Sequence, residues 1–190
     1  MHILISSVVE IFHLSGNSTA RSIADKLERL PDHAFATQFA SLPHLKHLRD
    51  APNISDAHPL AGIIKTMADH LPWQALNPEA ATPEIVNGSC FCHIVGPEGL
   101  IRDDTFRMGF YLQASDLYYT SHSHNAEEVY FVLSGTALWR KDNAPFALQS
   151  PGTLIHHLPN QPHTMHTQKE PLLALWAWVG DIGFESYTFH

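Results

Sequence analysis

Residues 118–135, YYTSHSHNAEEVYFVLSG, constrain this chain more than any other stretch, because they set polar ligands into an alternating strand pattern. His122 and His124 stand two apart, Glu128 follows four later, and Gly135 closes the run. Side chains on an extended chain alternate between faces, so both imidazoles point one way. Glu128, an even number of residues further on, returns to that face of a regular strand. Two imidazoles and a carboxylate meeting at one point form the donor set of a divalent Zn, Fe, Mn or Ni ion. Val129, Phe131 and Leu133 alternate with Tyr130 and Val132 and lead into Ser134-Gly135, a hairpin signal.

A second stretch, residues 152–163 (GTLIHHLPNQPH), completes the set. A strand-like Thr-Leu-Ile run ends in a turn rich in Pro and Asn that presents His163. Asn160 sits where a left-handed backbone is expected, and Asn tolerates that conformation better than most residues other than Gly. Together the two stretches resemble the paired motifs of the cupin superfamily. His122, His124, Glu128, Gly135, Gly152 and His163 match them. Asp116 stands where the first motif opens on Gly, and Leu158, Asn160 and Thr167 replace the usual Pro, Gly and Asn of the second. These departures fall at turn and packing positions, so they bear on loop geometry more than on metal binding. The resemblance implies a mainly β fold, the cupin double-stranded β-helix or jelly-roll barrel.

Length and composition bound the rest. A chain of 190 residues, 44% hydrophobic and 16% charged, holds a real core and an ordinary globular balance. Its formal net charge of -8 argues against nucleic acid and against an anionic membrane surface as partners. Cys90 and Cys92, at alternate positions of one strand, make a poor disulfide, so free thiols and a reducing, cytoplasmic setting are expected. No apolar run is long enough to span a bilayer. Residues 1–12 are apolar, but they lack basic residues at the start and a small-residue cleavage site and carry Glu10, which argues against a signal peptide.

Two regimes follow one another along the chain. Ser18 or Thr19 is expected to cap a helix reaching about Leu30, with Ile23, Leu27 and Leu30 on one side and Pro31 after it. Leu60, Ile63, Ile64, Met67 and Leu71 recur at helical spacing between Pro59 and Pro72. Residues 42–58, with Pro43, Pro52 and Asn53, are expected to be a helix end and loop, and residues 77–88 another loop. From about Ser89 short strands take over, at residues 90–95, 106–112, 129–133, 136–141, 146–148, 153–158 and 172–179. The expected organisation is a helical extension over residues 1–88 packed on a barrel over residues 89–190, as one structural unit. A homodimer is compatible with the sequence, the last strand and the helical segment offering a face.

The resemblance narrows further. Leu71-Pro72-Trp73, IVGPEG at 94–99, EEVYFVLSG at 127–135 and LWAWVGDIGFESYTF at 175–189 look like the cupin-type dimethylsulfoniopropionate lyases, over roughly residues 60–190. It implies a zwitterionic small-molecule substrate split into dimethyl sulfide and acrylate by removal of the α-proton and β-elimination. His124, Glu128 and His163 are the implied ligands of one divalent transition metal, with Tyr130 an additional ligand or a base. Tyr119 is a further candidate base, and His122 a member of the site whose direct ligation stays open. Trp176, Trp178 and Tyr118 are candidates for the aromatic surround that a sulfonium cation favours. Phe131 is expected to be packing. His156, His157 and His166 are expected on the strand surface or behind the ligands, and His13, His33, His44, His47, His58 and His70 at the surface. The same ligand set also suits a dioxygenase, an isomerase or a non-catalytic small-molecule-binding cupin.

Overall fold

The computed structural model describes residues 2–31, 39, 41–50, 57–79 and 81–190. His33, Pro52 and Asn53 lie outside the described residues. Strands dominate from Trp73 onward. One sheet joins β1 (Trp73–Ala75), β2 (Ser89–Gly96), β3 (Ile101–Arg102), β4 (Phe106–Gln113), β6 (Ala126–Ser134), β9 (Leu154–His157) and β11 (Leu172–Gly180). The other joins β5 (Tyr118–Ser123), β7 (Ala137–Lys141), β8 (Ala147–Gln149), β10 (His163–Thr167) and β12 (Thr188–Phe189). The chain moves between the two sheets as it runs, the jelly-roll arrangement of a cupin double-stranded β-helix. All seven expected strands are present, each shifted by a few residues at most.

The first sheet is buried on both sides, and the period of two decides what each side meets. On β6, Val129, Phe131 and Leu133 join the core beneath the helices, whereas Ala126, Tyr130 and Val132 face the barrel interior. On β11, Leu173, Leu175 and Ala177 take the helical side and Trp176 and Trp178 the interior. Cys90 and Cys92 are free and buried, and they also lie on the helical side. Phe131 is therefore packing, its ring edge-on to His58 at 5.5 Å.

The helices that cover this sheet are α1 (His2–Leu14), α2 (Ser18–Leu27), α3 (Lys46–Asp50) and α4 (Pro59–Thr66), while α5 (Pro83–Gly88) sets Ile85 into the interior cluster. Leu4, Val8, Ile11 and Phe12 of α1 are buried at helical spacing, each contributing roughly 1.5–3 kcal/mol by leaving water. The apolar start of the chain is thus a core helix. The cap of α2 is Asn17, whose side chain accepts from the Ala20 N–H at 2.9 Å, rather than Ser18 or Thr19. His58 caps α4 in the same way, and a 3-10 turn at Ala68–His70 follows before Pro72. One expectation of loop is corrected: within residues 77–88, Pro83 opens α5 at the position where a missing N–H costs nothing. α3 occupies part of 42–58, where a helix end and loop are expected. Strand β1 follows Pro72, within the expected helical extension over residues 1–88, and pairs with β2.

Turn chemistry explains the departures from the motifs. Asp116 has φ of 53° and Asn160 of 61°, so each adopts the left-handed conformation that Gly takes most easily. Gly135, at φ of 75°, has no such substitute: a Cβ there would lie 2.0 Å from the Pro171 carbonyl oxygen.

Candidate active site

β5, β6 and β10 bring the ligand residues to one end of the barrel interior. His122 lies opposite His163 across the β5–β10 ladder, and Glu128 lies opposite both Trp178 and His157. His124 Nδ1 is 3.1 Å from the Ala126 carbonyl, His163 Nδ1 2.9 Å from that of Gln161, and His122 Nδ1 2.9 Å from that of Thr120. A carbonyl only accepts, so each Nδ1 carries the proton and each Nε2 presents a lone pair.

Those lone pairs converge. Glu128 Oε2 lies 3.4 Å from His124 Nε2 and 3.3 Å from His163 Nε2, and both nitrogens are buried without a hydrogen-bond partner among the described residues. One ligand atom from each of His124, Glu128 and His163 falls within 4.8 Å of the others. Three lone pairs facing one another repel unless a cation stands between them, so these residues fit a divalent metal. His122 is outside that tight set. Its ring is 4.1 Å from that of His163, and burial first, then the neighbouring His163, holds its pKa well below the usual value.

Glu128 is held from behind. Trp139 Nε1, which can only donate, gives its proton to His157 Nε2 at 3.0 Å. His157 Nδ1 must then be the protonated nitrogen, and it donates to Glu128 Oε2 at 2.9 Å. Trp178 Nε1 donates to Glu128 Oε1 at 2.5 Å. Burial alone would raise the Glu128 pKa, but in the metal-free protein a proton shared with the facing His124, and next the hydrogen bond from His157, outweigh it and hold the carboxyl well below its usual range. His157 thus stands behind a ligand, as expected. His156 bonds Glu127 on the outside at 2.7 Å. Among the described residues His13 forms a second, exposed group with Asp25 and Glu28, a kind common without any ion.

A cavity of about 500 Å³ opens beside these ligands. Tyr119, His122, Glu128, Tyr130, Trp176 and Trp178 all line it, so the barrel brings together most of the residues singled out in the sequence. His124 and His163 do not line it; both are buried, facing Glu128, which does. Tyr118 is the exception. One residue out of phase with Tyr119, it points outward, 41% exposed, with its ring against His166. Trp178 does more than line the wall: its ring lies 4.2 Å from that of His124 while its N–H holds Glu128.

Tyr187, Phe184, His93 and Tyr111 also line the cavity, and sequence reasoning did not single them out. Tyr187 Oη is 2.8 Å from Tyr119 Oη, and its ring stacks on His122 at 5.0 Å. It lies in the stretch 175–189 quoted for the resemblance, but no strand period extends to it, since β12 is two residues long. Burial raises the phenols of Tyr119, Tyr130 and Tyr187 well above their ordinary value, the Tyr187 hydrogen bond partly offsetting this for Tyr119.

Buried neutral histidines make the metal-free protein acid-sensitive. Burial first, and Arg107 second, lowers His93 from 6.5 to about 4, and burial first, then His163, takes His157 to about 3. Below 6.5 the unfolded chain binds protons that the folded one refuses, so this stability is complete above about pH 6.5 and drains away toward pH 4. After chelation, the urea midpoint should be lower at about pH 5 than at about pH 7.5, and His93→Phe should flatten part of the drop. Equal midpoints at both pH values would refute this.

A family model described as dimethylsulfoniopropionate lyase matches residues 16–174. The dimethylsulfoniopropionate lyase DddQ of Ruegeria pomeroyi is 33% identical over 94 residues, 50% of this chain and 46% of the relative. A putative dimethylsulfoniopropionate lyase, DddL of Cereibacter sphaeroides, is 29% identical over 143 residues, 73% of this chain and 60% of the relative. The chain spans about half the length of the curated relatives it matches. A crystal structure from work on the lyases RdDddP and RnDddQII superposes with a TM-score of 0.77 at 25% identity, covering 100% of this chain and 98% of the other. DddQ from Ruegeria pomeroyi superposes with a TM-score of 0.77 at 19% identity over 96% of this chain and 94% of its own, a likeness of fold.

Proposed function

We propose that this chain, which belongs to the dimethylsulfoniopropionate lyase family, cleaves dimethylsulfoniopropionate to dimethyl sulfide and acrylate with the help of one divalent transition metal. The observation that carries the reading is the convergence of His124, Glu128 and His163 lone pairs beside a cavity that also presents phenols and indole faces. His122 and Tyr130 line the same cavity and are the candidate further ligands.

The elimination breaks the α C–H and β C–S bonds. The C–H electron pair becomes the C=C bond of acrylate, the C–S pair leaves on sulfur as dimethyl sulfide, and the proton passes to a base. Tyr119 and Tyr130 are the candidate bases, with His122 a neutral acceptor on the same wall. Burial keeps both phenols protonated at neutral pH in the absence of a nearby cation. A bound divalent ion would supply both a Lewis acid for the substrate carboxylate and the positive charge that favours a phenolate. Tyr187, 2.8 Å away, is placed to donate its O–H to a Tyr119 phenolate. The faces of Trp176 and Trp178 suit the sulfonium, each good contact contributing about 0.5–2 kcal/mol. Fe, Zn, Mn and Ni all suit the donor set.

Among the described residues no helix is long and apolar enough to cross a membrane, and the free buried thiols suit a reducing, cytoplasmic compartment. The test is headspace detection of dimethyl sulfide from protein that has been chelated and then reloaded separately with Fe, Mn, Ni or Zn. Release that returns with one of these metals, with acrylate in equal amount, is the expected result. No release from protein shown to bind each metal would reject the lyase.

A further inference from the structure

We infer that His93 selects for a positive charge on the ligand, forming with Phe91 and Trp176 the part of the cavity that takes the onium end of the substrate. The inference rests on the proposal above that the ligand is a sulfonium zwitterion.

His93 lies on β2, 4% exposed, and lines the cavity. Neither of its ring nitrogens has a hydrogen-bond partner among the described residues. Buried polar groups in folded proteins are nearly always satisfied, so a ring left open on both nitrogens beside a cavity points to a ligand. Three aromatic rings surround it: Phe91 at 5.0 Å, Trp176 edge-on at 5.3 Å, and Phe184 stacked at 5.5 Å with an interplanar angle of 9°. Ring faces around a pocket attract a soft cation through the quadrupole of each ring. Phe184 already carries the Arg107 guanidinium at 4.3 Å, paired in turn with Glu98, which leaves Phe91 and Trp176 for the ligand. Trp178 gives its N–H to Glu128 and packs on His124 while standing 5.8 Å from Trp176, and so joins the metal end of the cavity to this part of it.

The charge of the imidazole matters as much as its shape. Burial first and Arg107 second keep His93 neutral, its pKa lowered to about 4, so it does not repel a cation. Glu98 Oε2 lies 4.0 Å from His93 Nδ1, beyond a hydrogen bond but near enough to favour the proton there. Nε2 is then the nitrogen with the lone pair. Arg107 pairs with Glu98 and holds the Ile182 carbonyl at 2.8 Å, which fixes the carboxylate and the segment carrying Phe184.

The test compares two unreactive probes on the metal-loaded protein by calorimetry. One is 3-(trimethylammonio)propionate, which keeps the onium charge; the other is 3-(methylthio)propionate, which keeps the carboxylate and loses the charge. In His93→Ala the ammonium probe should bind ~10-fold more weakly while the thioether changes by less than about twofold. His93→Phe preserves the ring and near-equal volume, so it carries the test should the Ala variant misfold, and its loss should be ~3-fold and again confined to the ammonium probe. Equal losses for both probes, or no loss for either, would overturn the inference. Dimethyl sulfide release by the wild-type protein with an unchanged KM in both variants would overturn it and leave the lyase standing. A charge-selective loss in a protein that releases no dimethyl sulfide would uphold it and reject the lyase.

Discussion

Exchange of Tyr119 for Phe is expected to lower dimethyl sulfide release by roughly 10²–10⁴-fold, the usual contribution of a positioned proton acceptor. The ring itself should stay in place. Tyr119 is only 4% exposed and packs against Tyr111 at 5.8 Å and His122 at 4.6 Å, contacts that a phenyl ring keeps. What is lost is one oxygen and its bond to Tyr187, about 1 kcal/mol of stability. Binding of 3-(trimethylammonio)propionate should therefore change by less than about threefold. Tyr130→Phe asks the same of the second phenol, whose ring remains 5.1 Å from Trp139. Loss of turnover with binding retained identifies a base. Full turnover in both variants would remove the phenols from the mechanism, and parallel loss of binding would make them structural.

The second large effect is expected at Glu128. Glu128→Gln keeps the shape of the side chain but removes the charge that two Nε2 lone pairs and any bound cation face. Its amide also offers an N–H where Trp178 or His157 already donates, so one buried pair is left donor against donor. Metal content after desalting should fall to less than about a tenth of the wild-type value, with lysis falling in step. His157→Phe removes only the hydrogen bond behind Glu128. Metal affinity should drop by about 10–100-fold and lysis should be restored by excess metal, which separates support of the carboxylate from ligation by it. Wild-type metal content in Glu128→Gln would place the metal elsewhere.

Much of the barrel was legible along the chain because a strand sends alternate side chains to opposite faces. Val129, Phe131 and Leu133 were read as alternating with Tyr130 and Val132, and Trp176 and Trp178 as sharing a face, as they do. The helical cover was read less well. Residues 1–12 were weighed only against a signal peptide, although Leu4, Val8, Ile11 and Phe12 follow a helical stripe. α5 escaped notice because six residues give a period too few repeats to show. β10 was missed for another reason: His-Thr-Met-His-Thr is polar by composition, and it is the pairing with β5 and β7 that makes it a strand. Tyr118 was taken for a wall of the site by nearness in sequence, and the strand period turns it away.

The sequence by itself marked His124 and Glu128 as a pair by their spacing, which is a local property; that His163 belongs with them rested on the resemblance to the paired motifs, and the β5–β10 ladder is what sets it beside them. It also determined that Asp116 and Asn160 stand at turns, positions where their left-handed backbone is tolerated. Only the tertiary structure decided what surrounds that site. His93 and Tyr187 lie far from the ligands along the chain, and the β2–β4–β11 pairing and the short β12 ladder bring them to the same cavity. The order of His157 behind Glu128, with Trp139 behind His157, depends likewise on one register between β6 and β9 and on packing across the two sheets. Such contacts arise when separate faces are buried together, and burial between sheets leaves no period in the sequence for the eye to follow.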